Sequence, residues 1–163
     1  MADEISKDKE ISLYLVQHGE AKSKAEDPER SLTKRGRKVV EQMASWAARV
    51  GLNVEQIRHS GKRRAEETAA IFGQHLKVPE GVISVSGLAP NDNVHPMVES
   101  LEKETSTVML ISHLPFLSRL ASQLLIQDPD RAIIRFSMGG LVWLLHKQEQ
   151  WTVKCLVPPD LLP

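Results

Sequence analysis

Two short, mainly apolar runs of strand-favouring residues constrain the fold of this chain more than any other feature. They occupy residues 11–16 (ISLYLV) and 107–112 (TVMLIS). Continuous runs of this length indicate β-strands that are covered on both faces, as in parallel sheets. Because helices cover both faces of such sheets, the two runs predict an α/β protein.

The remaining segments alternate between helical and strand patterns. Helices are predicted from a Thr33 cap to Gly51, and over residues 63–76, 97–104 and 115–125. Further strands are predicted at 54–60, 82–85, 133–136, 140–146 and 151–157, the last two forming a hairpin. We therefore expect a three-layer α/β/α sandwich with a mostly parallel central sheet and an antiparallel C-terminal hairpin edge. Residues 1–163 are expected to form one domain, with 1–10 as a flexible N-terminal extension.

Composition narrows the range of partners. The 21 basic and 21 acidic residues cancel, and only 4% of residues are aromatic, so we expect no nucleic-acid partner. The longest apolar stretches, 108–111 and 141–145, are far shorter than the roughly 20 residues of a transmembrane helix, so we expect no membrane association. A single cysteine, Cys155, and the lack of an apolar leader predict a cytoplasmic protein. The oligomeric state stays open.

Polar, chemically active residues follow the predicted central strands. His18 and His113 come directly after the two apolar runs, and the ends of parallel strands meet at one edge of a sheet. Ser60, at the end of another predicted strand, leads into Lys62 and Arg64 at a helix start, a pattern typical of an anion site. Residues 30–64 hold ten basic and two acidic residues, so the positive charge is concentrated there. These features predict a crevice that binds a small anion.

The same residues resemble the motifs of the histidine phosphatase superfamily, which has the phosphoglycerate mutase-like fold. In order, the motifs are His18-Gly19-Glu20, Leu32-Thr33…Gly36, Ser60…Arg64-Ala65-Glu66-Glu67-Thr68 and Ile111-Ser112-His113. The small size of the chain and its Ser-His-Leu-Pro run are most similar to the short SixA-type phosphohistidine phosphatases. The resemblance spans nearly the whole chain, from residue 11 to about residue 157.

The resemblance implies a phosphatase with a covalent phosphohistidine intermediate. His18 would be the nucleophile, and Gln17, Arg64 and His113 would bind the phosphoryl oxygens. His113 would do so more effectively when it is protonated. No metal or other cofactor is expected. The expected substrate is phosphohistidine in a protein or a small phosphorylated molecule.

The general acid is not evident from the motifs. Larger members of the superfamily use a glutamate from the middle of the chain, and the SixA-type branch has no obvious equivalent. Asp92, in the polar loop 88–94, is the best positional candidate, and Glu20 is the second.

Two departures from the family pattern affect these expectations. Gln17 stands where the motif normally has arginine, and losing one charge-assisted contact in a phosphoryl clamp costs roughly 2–4 kcal/mol of transition-state stabilisation. The alternative is therefore a module that binds phosphate or a phosphoprotein with weak or no turnover. Gly61 replaces the usual proline after Ser60, which is expected to affect loop rigidity more than chemistry. A third candidate is a metal-dependent hydrolase that uses His18, His113 and Asp92.

Overall fold

A computed structural model describes residues 9–163 and shows alternating strands and helices around one mixed sheet. The strands are β1 (Ile11–Gln17), β2 (Gln56–His59), β3 (Val82–Ser84), β4 (Val108–Ser112), β5 (Leu141–Lys147) and β6 (Gln150–Val157). The helices are α1 (Lys34–Arg49), α2 (Arg63–His75), α3 (His95–Glu102) and α4 (Phe116–Ile126), followed by a short 3-10 turn at Pro159–Leu161. The described helices include none long and apolar enough to cross a membrane.

The six strands lie in the order β3-β2-β4-β1-β5-β6. Strands β3, β2, β4 and β1 are mutually parallel, β5 runs antiparallel to β1, and β6 runs antiparallel to β5. The mostly parallel sheet and the antiparallel C-terminal edge are therefore confirmed. Because β4 lies between β1 and β2, the carboxyl ends of these three strands are neighbours.

Both faces of the sheet are covered, as the two apolar runs predict. Tyr14 and Ile111 face a core completed by α1 and α2, whereas Leu13, Leu15 and Leu110 face a core completed by α3 and α4. Successive side chains of one strand therefore pack into different cores. Because both faces of the sheet are covered, the two runs do not alternate between apolar and polar residues. The three-layer architecture is confirmed.

The predicted strand at 133–136 is wrong, because the segment has no regular structure. Ile134 and Phe136 pack against the second core, whereas Ile133 and Arg135 are exposed. The segment therefore alternates between packed and exposed side chains, as a strand would. A strand also needs a backbone partner, and within residues 9–163 no strand of the sheet pairs with this segment.

Smaller differences concern the ends of elements. Helix α3 begins at His95, two residues earlier than predicted, with Pro96 in its first turn. The Thr33 cap is confirmed, since its hydroxyl accepts a hydrogen bond from the Gly36 amide. Of the predicted flexible extension, residues 1–8 lie outside the described residues, and Lys9 and Glu10 have no regular structure.

Candidate active site

Three strand ends converge at one edge of the sheet. His18 follows β1, His113 follows β4 and Ser60 follows β2. The ring centroids of His18 and His113 are 4.9 Å apart, and Ser60 Oγ lies 2.6 Å from His113 Nε2. The backbone amide of His18 donates to the Ser112 carbonyl, which fixes the height of the two histidines relative to each other. The structure therefore brings the two predicted histidines together in one crevice.

His18 is held as a neutral imidazole whose Nε2 carries a lone pair. Its Nδ1 lies 2.7 Å from the Gly19 carbonyl oxygen, which can only accept, so Nδ1 carries the hydrogen. Nε2 therefore carries the lone pair and accepts a hydrogen bond from Arg64 Nε at 3.3 Å. Burial lowers the pKa of His18 to about 4, and the positive charges of Arg64 and Arg30 act in the same direction, although the Gly19 bond opposes them. At neutral pH His18 presents an unprotonated Nε2 beside a guanidinium.

His113 is almost completely enclosed and is also neutral. Burial lowers its pKa to about 3, with further contributions from the neighbouring His18 and Arg64. Its Nδ1 is buried and has no hydrogen-bond partner within residues 9–163. In the anion-free site His113 therefore lacks the proton that would make it a more effective donor to phosphoryl oxygens. A dianionic phosphoryl group would favour the protonated form, because an opposite charge raises the pKa of a histidine.

Two residues of helix α2 fasten the loop that carries His18. Thr68 Oγ1 accepts a hydrogen bond from the Gly19 amide at 3.0 Å and donates to the Arg64 carbonyl at 2.7 Å. Glu67 Oε2 accepts from the Leu32 amide at 2.7 Å. Both residues belong to the Ser60…Thr68 motif, but the motif alone did not predict a role for them. Side chains three and four residues apart share a helix face, so the spacing from Arg64 indicates that Glu67 and Thr68 face the same side as Arg64.

Two glycines in the motifs allow close packing behind His18. A Cβ on Gly19 would lie 2.7 Å from Val40 Cγ2 of helix α1. A Cβ on Gly36 would overlap the backbone carbonyl of Glu20. The motif spacing therefore reflects the contact between the first turns of α1 and the chain that leaves β1.

Ser60 and Gly61 shape the approach to His113. The hydroxyl of Ser60 was not predicted to contact His113, although its position at a strand end beside β4 was a usable signal. Gly61 has φ of 84°, and its amide donates to His59 Nδ1 at 3.1 Å. Proline cannot adopt this φ and has no amide hydrogen, so the Ser-Gly sequence specifies a different turn from Ser-Pro.

The remaining candidates lie outside this hydrogen-bonded group. The Asp92 carboxylate accepts from the Ala89 amide of its own loop, and the Glu20 carboxylate accepts from the Thr33 hydroxyl. Within residues 9–163, neither carboxylate is hydrogen-bonded to His18, Arg64 or His113.

Gln17 ends strand β1, next to His18. Its side-chain Oε1 is buried without a hydrogen-bond partner in the described part of the chain, and its backbone carbonyl accepts from the Gly139 amide. The residue that replaces the motif arginine thus contributes no charge to the crevice.

Metal binding finds no support in the side-chain arrangement. No group of three His, Cys, Asp or Glu residues within 9–163 is placed to hold a metal ion. The third candidate, a metal-dependent hydrolase built on His18, His113 and Asp92, therefore lacks a ligand set.

Comparison with known proteins agrees with the site. Residues 13–89 match the family model of the histidine phosphatase superfamily, branch 1. The chain is 29% identical over 119 residues to the phosphohistidine phosphatase SixA of Escherichia coli strain K12, covering 70% of this chain and 74% of that protein. It also matches the structure of the protein histidine phosphatase SixA complexed with tungstate, with a TM-score of 0.83, 25% identity and coverage of 93% and 99% of the two chains.

A more distant structure shares the fold. A phosphoserine phosphatase mutant from Entamoeba histolytica superimposes with a TM-score of 0.69 at 13% identity, covering 92% of this chain and 98% of that one.

The two histidines at strand ends, the arginine at the start of the helix after β2 and these similarities point to the same class of protein. The chain is similar to the histidine phosphatase superfamily and, within it, to the short SixA type. This similarity supports a phosphatase activity for this protein.

Proposed function

We propose that this protein removes the phosphoryl group from phosphohistidine in proteins, with His18 as the covalent nucleophile. The observation that supports this most directly is the state of His18: a neutral ring whose unprotonated Nε2 lies 3.3 Å from Arg64 Nε. A nucleophile must present a lone pair, and a phosphoryl group needs a cation beside the point of attack. His18 and Arg64 supply the two together.

The reaction has two steps. The lone pair of His18 Nε2 forms a bond to phosphorus as the bond from phosphorus to the substrate nitrogen breaks, and the electron pair of that bond passes to the leaving imidazole. Water then attacks the phosphorus of phospho-His18 and loses a proton, orthophosphate leaves, and His18 regains its lone pair. Arg64 and His113 bind the phosphoryl oxygens in both steps, where charge builds up in the transition state.

A phosphohistidine substrate also suits a site without a carboxylic acid beside His18. The leaving imidazole of such a substrate can carry a proton on its other nitrogen, whereas an alkyl phosphate leaves as an alkoxide that needs an external proton. Asp92 and Glu20, the two candidate acids, are occupied by local hydrogen bonds. We expect the native protein to hydrolyse phosphohistidine peptides faster than alkyl phosphates, and Asp92→Asn to retain the activity on phosphohistidine peptides. Loss of that activity in Asp92→Asn would count against this account.

The direct test measures phosphate release from a phosphohistidine peptide and from an aryl phosphate, with His18→Ala as the control. We expect turnover that depends on His18 and that persists in a chelator. Acid quenching should trap a phosphoenzyme in the native protein but not in His18→Ala. Activity lost in the chelator would instead indicate a metal-dependent hydrolase.

The alternative function, a binding module with weak or no turnover, is favoured by one observation, the uncharged Gln17. If the native protein binds phosphate but releases none from either substrate above the His18→Ala control, this alternative is correct. Gln17→Arg should then raise the rate if the missing charge limits catalysis. An unchanged rate would show that charge at this position is not the limitation.

A further inference from the structure

The loop from residue 21 to residue 32, between β1 and α1, carries one arginine toward the crevice. The two ends of the loop are joined by a β-bridge between Ala21 and Leu32 and by a hydrogen bond from the Lys22 amide to the Ser31 carbonyl. Arg30 therefore lies in a closed turn whose base is fastened beside His18. Its φ is 54°, a left-handed conformation that residues other than glycine rarely adopt.

The side chain of Arg30 is held at one nitrogen, and its other two nitrogens form no hydrogen bond with residues 9–163. Its Nε donates to the Lys22 carbonyl at 3.1 Å, and the residue is half-buried. Within residues 9–163 no carboxylate forms an ion pair with its guanidinium. By contrast, Arg63 and Arg37 share the carboxylate of Glu67 as an ion-pair partner. Arg30 thus keeps an uncompensated positive charge and its two terminal nitrogens.

The positive charge of Arg30 acts on three of the predicted groups of the site. The charge of Arg30 contributes to the lowered pKa values of His18, Arg64 and His113. These three groups follow three different strands and meet only in the crevice, so a charge that acts on all of them lies next to the crevice. Leu32, two residues after Arg30, would lie 3.2 Å from a Cβ on Gly19, which places the end of this loop against the His18 turn.

We propose that Arg30 binds the phosphoryl oxygens and supplies the second guanidinium of the site, in place of the arginine that Gln17 replaces. The inference rests on the proposed phosphatase function and adds Arg30 to the residues that bind the phosphoryl group in the same site. A transferring phosphoryl group carries about two negative charges, whereas Arg64 supplies one positive charge and the two histidines are neutral before the anion binds. Arg30 supplies a second positive charge from the loop without requiring protonation of His113. Arg30 also has the planar set of donors that glutamine lacks.

The first test measures binding without turnover. Tungstate and inorganic orthophosphate are titrated into the native protein, Arg30→Gln and Lys24→Gln at fixed ionic strength. Lys24 is an exposed residue of the same loop, so its variant makes the same charge change away from the crevice. We expect Arg30→Gln to weaken binding about tenfold to a hundredfold and Lys24→Gln to change it less than twofold. Equal affinities for the native protein and Arg30→Gln would overturn the proposal.

Two further measurements separate binding from support of the loop. The pKa values of His18 and His113, followed by NMR, should rise in Arg30→Gln because a nearby positive charge is removed, while the melting temperature stays close to that of Lys24→Gln. In addition, Gln17→Arg should recover more affinity in the Arg30→Gln background than it adds to the native protein, since both residues would serve the same oxygens. Purely additive effects would overturn the proposal.

Failure of this proposal is distinguishable from failure of the proposed function. If the proteins bind anion in the predicted order but hydrolyse no phosphohistidine peptide, the role of Arg30 stands and the phosphatase assignment falls. If Arg30→Gln hydrolyses the peptide with native kcat and KM, the assignment of Arg30 falls and the phosphatase stands.

Discussion

Replacing Thr68 with valine tests whether helix α2 positions the nucleophile. Thr68 is fully buried, and its hydroxyl is the only hydrogen-bond partner found for the Gly19 amide within the described residues. Valine has nearly the same shape, so the change removes the hydroxyl without opening a cavity. The Arg64 carbonyl keeps its ordinary helical bond, whereas the Gly19 amide is left buried and unpaired.

The expected loss of stability follows from that one amide. An unpaired buried donor costs about 1–3 kcal/mol, and the extra methyl of valine offsets less than about 1 kcal/mol of it. With a urea m value of about 2 kcal/mol per molar, the unfolding midpoint should fall by roughly 0.5–1 M. The Gly19 carbonyl also orients the His18 ring through Nδ1, so a shift of Gly19 should lower kcat about tenfold to a hundredfold.

The matched control is Thr68→Ser, which keeps both hydrogen bonds and loses one buried methyl. It should lose about 1 kcal/mol of stability and retain nearly native kcat. Urea unfolding followed by circular dichroism and turnover of a phosphohistidine peptide measure the two effects. If Thr68→Val and Thr68→Ser have equal kcat, Thr68 does not position His18 and the reasoning is refuted.

Three further predictions concern the surroundings of the site. Gly36→Ala should destabilise the fold by about 3 kcal/mol, because the new Cβ would overlap the Glu20 carbonyl, and native-like urea unfolding would contradict this. Gly61→Pro should lower the melting temperature and weaken tungstate binding, because φ there is 84° and the amide is hydrogen-bonded; an unchanged melting curve would show that the turn relaxes freely. His18 and His113, with pKa values lowered to about 4 and about 3, protonate near pH 6.5 only when unfolded. The unfolded chain thus binds more protons below about pH 6.5, and stability should fall by up to about 1.4 kcal/mol per pH unit and histidine towards pH 4. Equal urea midpoints at pH 7 and pH 5 would refute this.

The sequence was sufficient to predict those features that depend only on residues close together in the chain. The two apolar runs predicted strands buried on both faces, and the residues after them, His18 and His113, were placed in one crevice by the general behaviour of parallel strands. The Thr33 cap and the helix after it follow from the same kind of local pattern. Each of these predictions needs only residues that are close in the chain.

The remaining features depend on contacts between distant residues. Segment 133–136 has the alternation of a strand, but a strand also needs a backbone partner, and no strand of the described sheet pairs with it. The bond from Gly19 to Thr68 spans 49 residues, and its existence depends on how α2 docks. The position of the Arg30 guanidinium depends on the path of the loop at residues 21–32. Helical spacing places Thr68 on the same face as Arg64, but it does not specify which loop that face contacts.

The strand order also has a consequence for the time course of folding. Strands β1 and β2 do not pair with each other, because β4 lies between them and pairs with both. Leu15 of β1, for example, lies opposite Leu110 of β4. Neither pairing can form before β4 is in place. Closing such a long loop is slow compared with forming the local helices. During synthesis, the first hundred residues hold His18 and Arg64 but lack the strand that aligns them. The appearance of anion binding during refolding should therefore mark the insertion of β4, later than the appearance of helical structure.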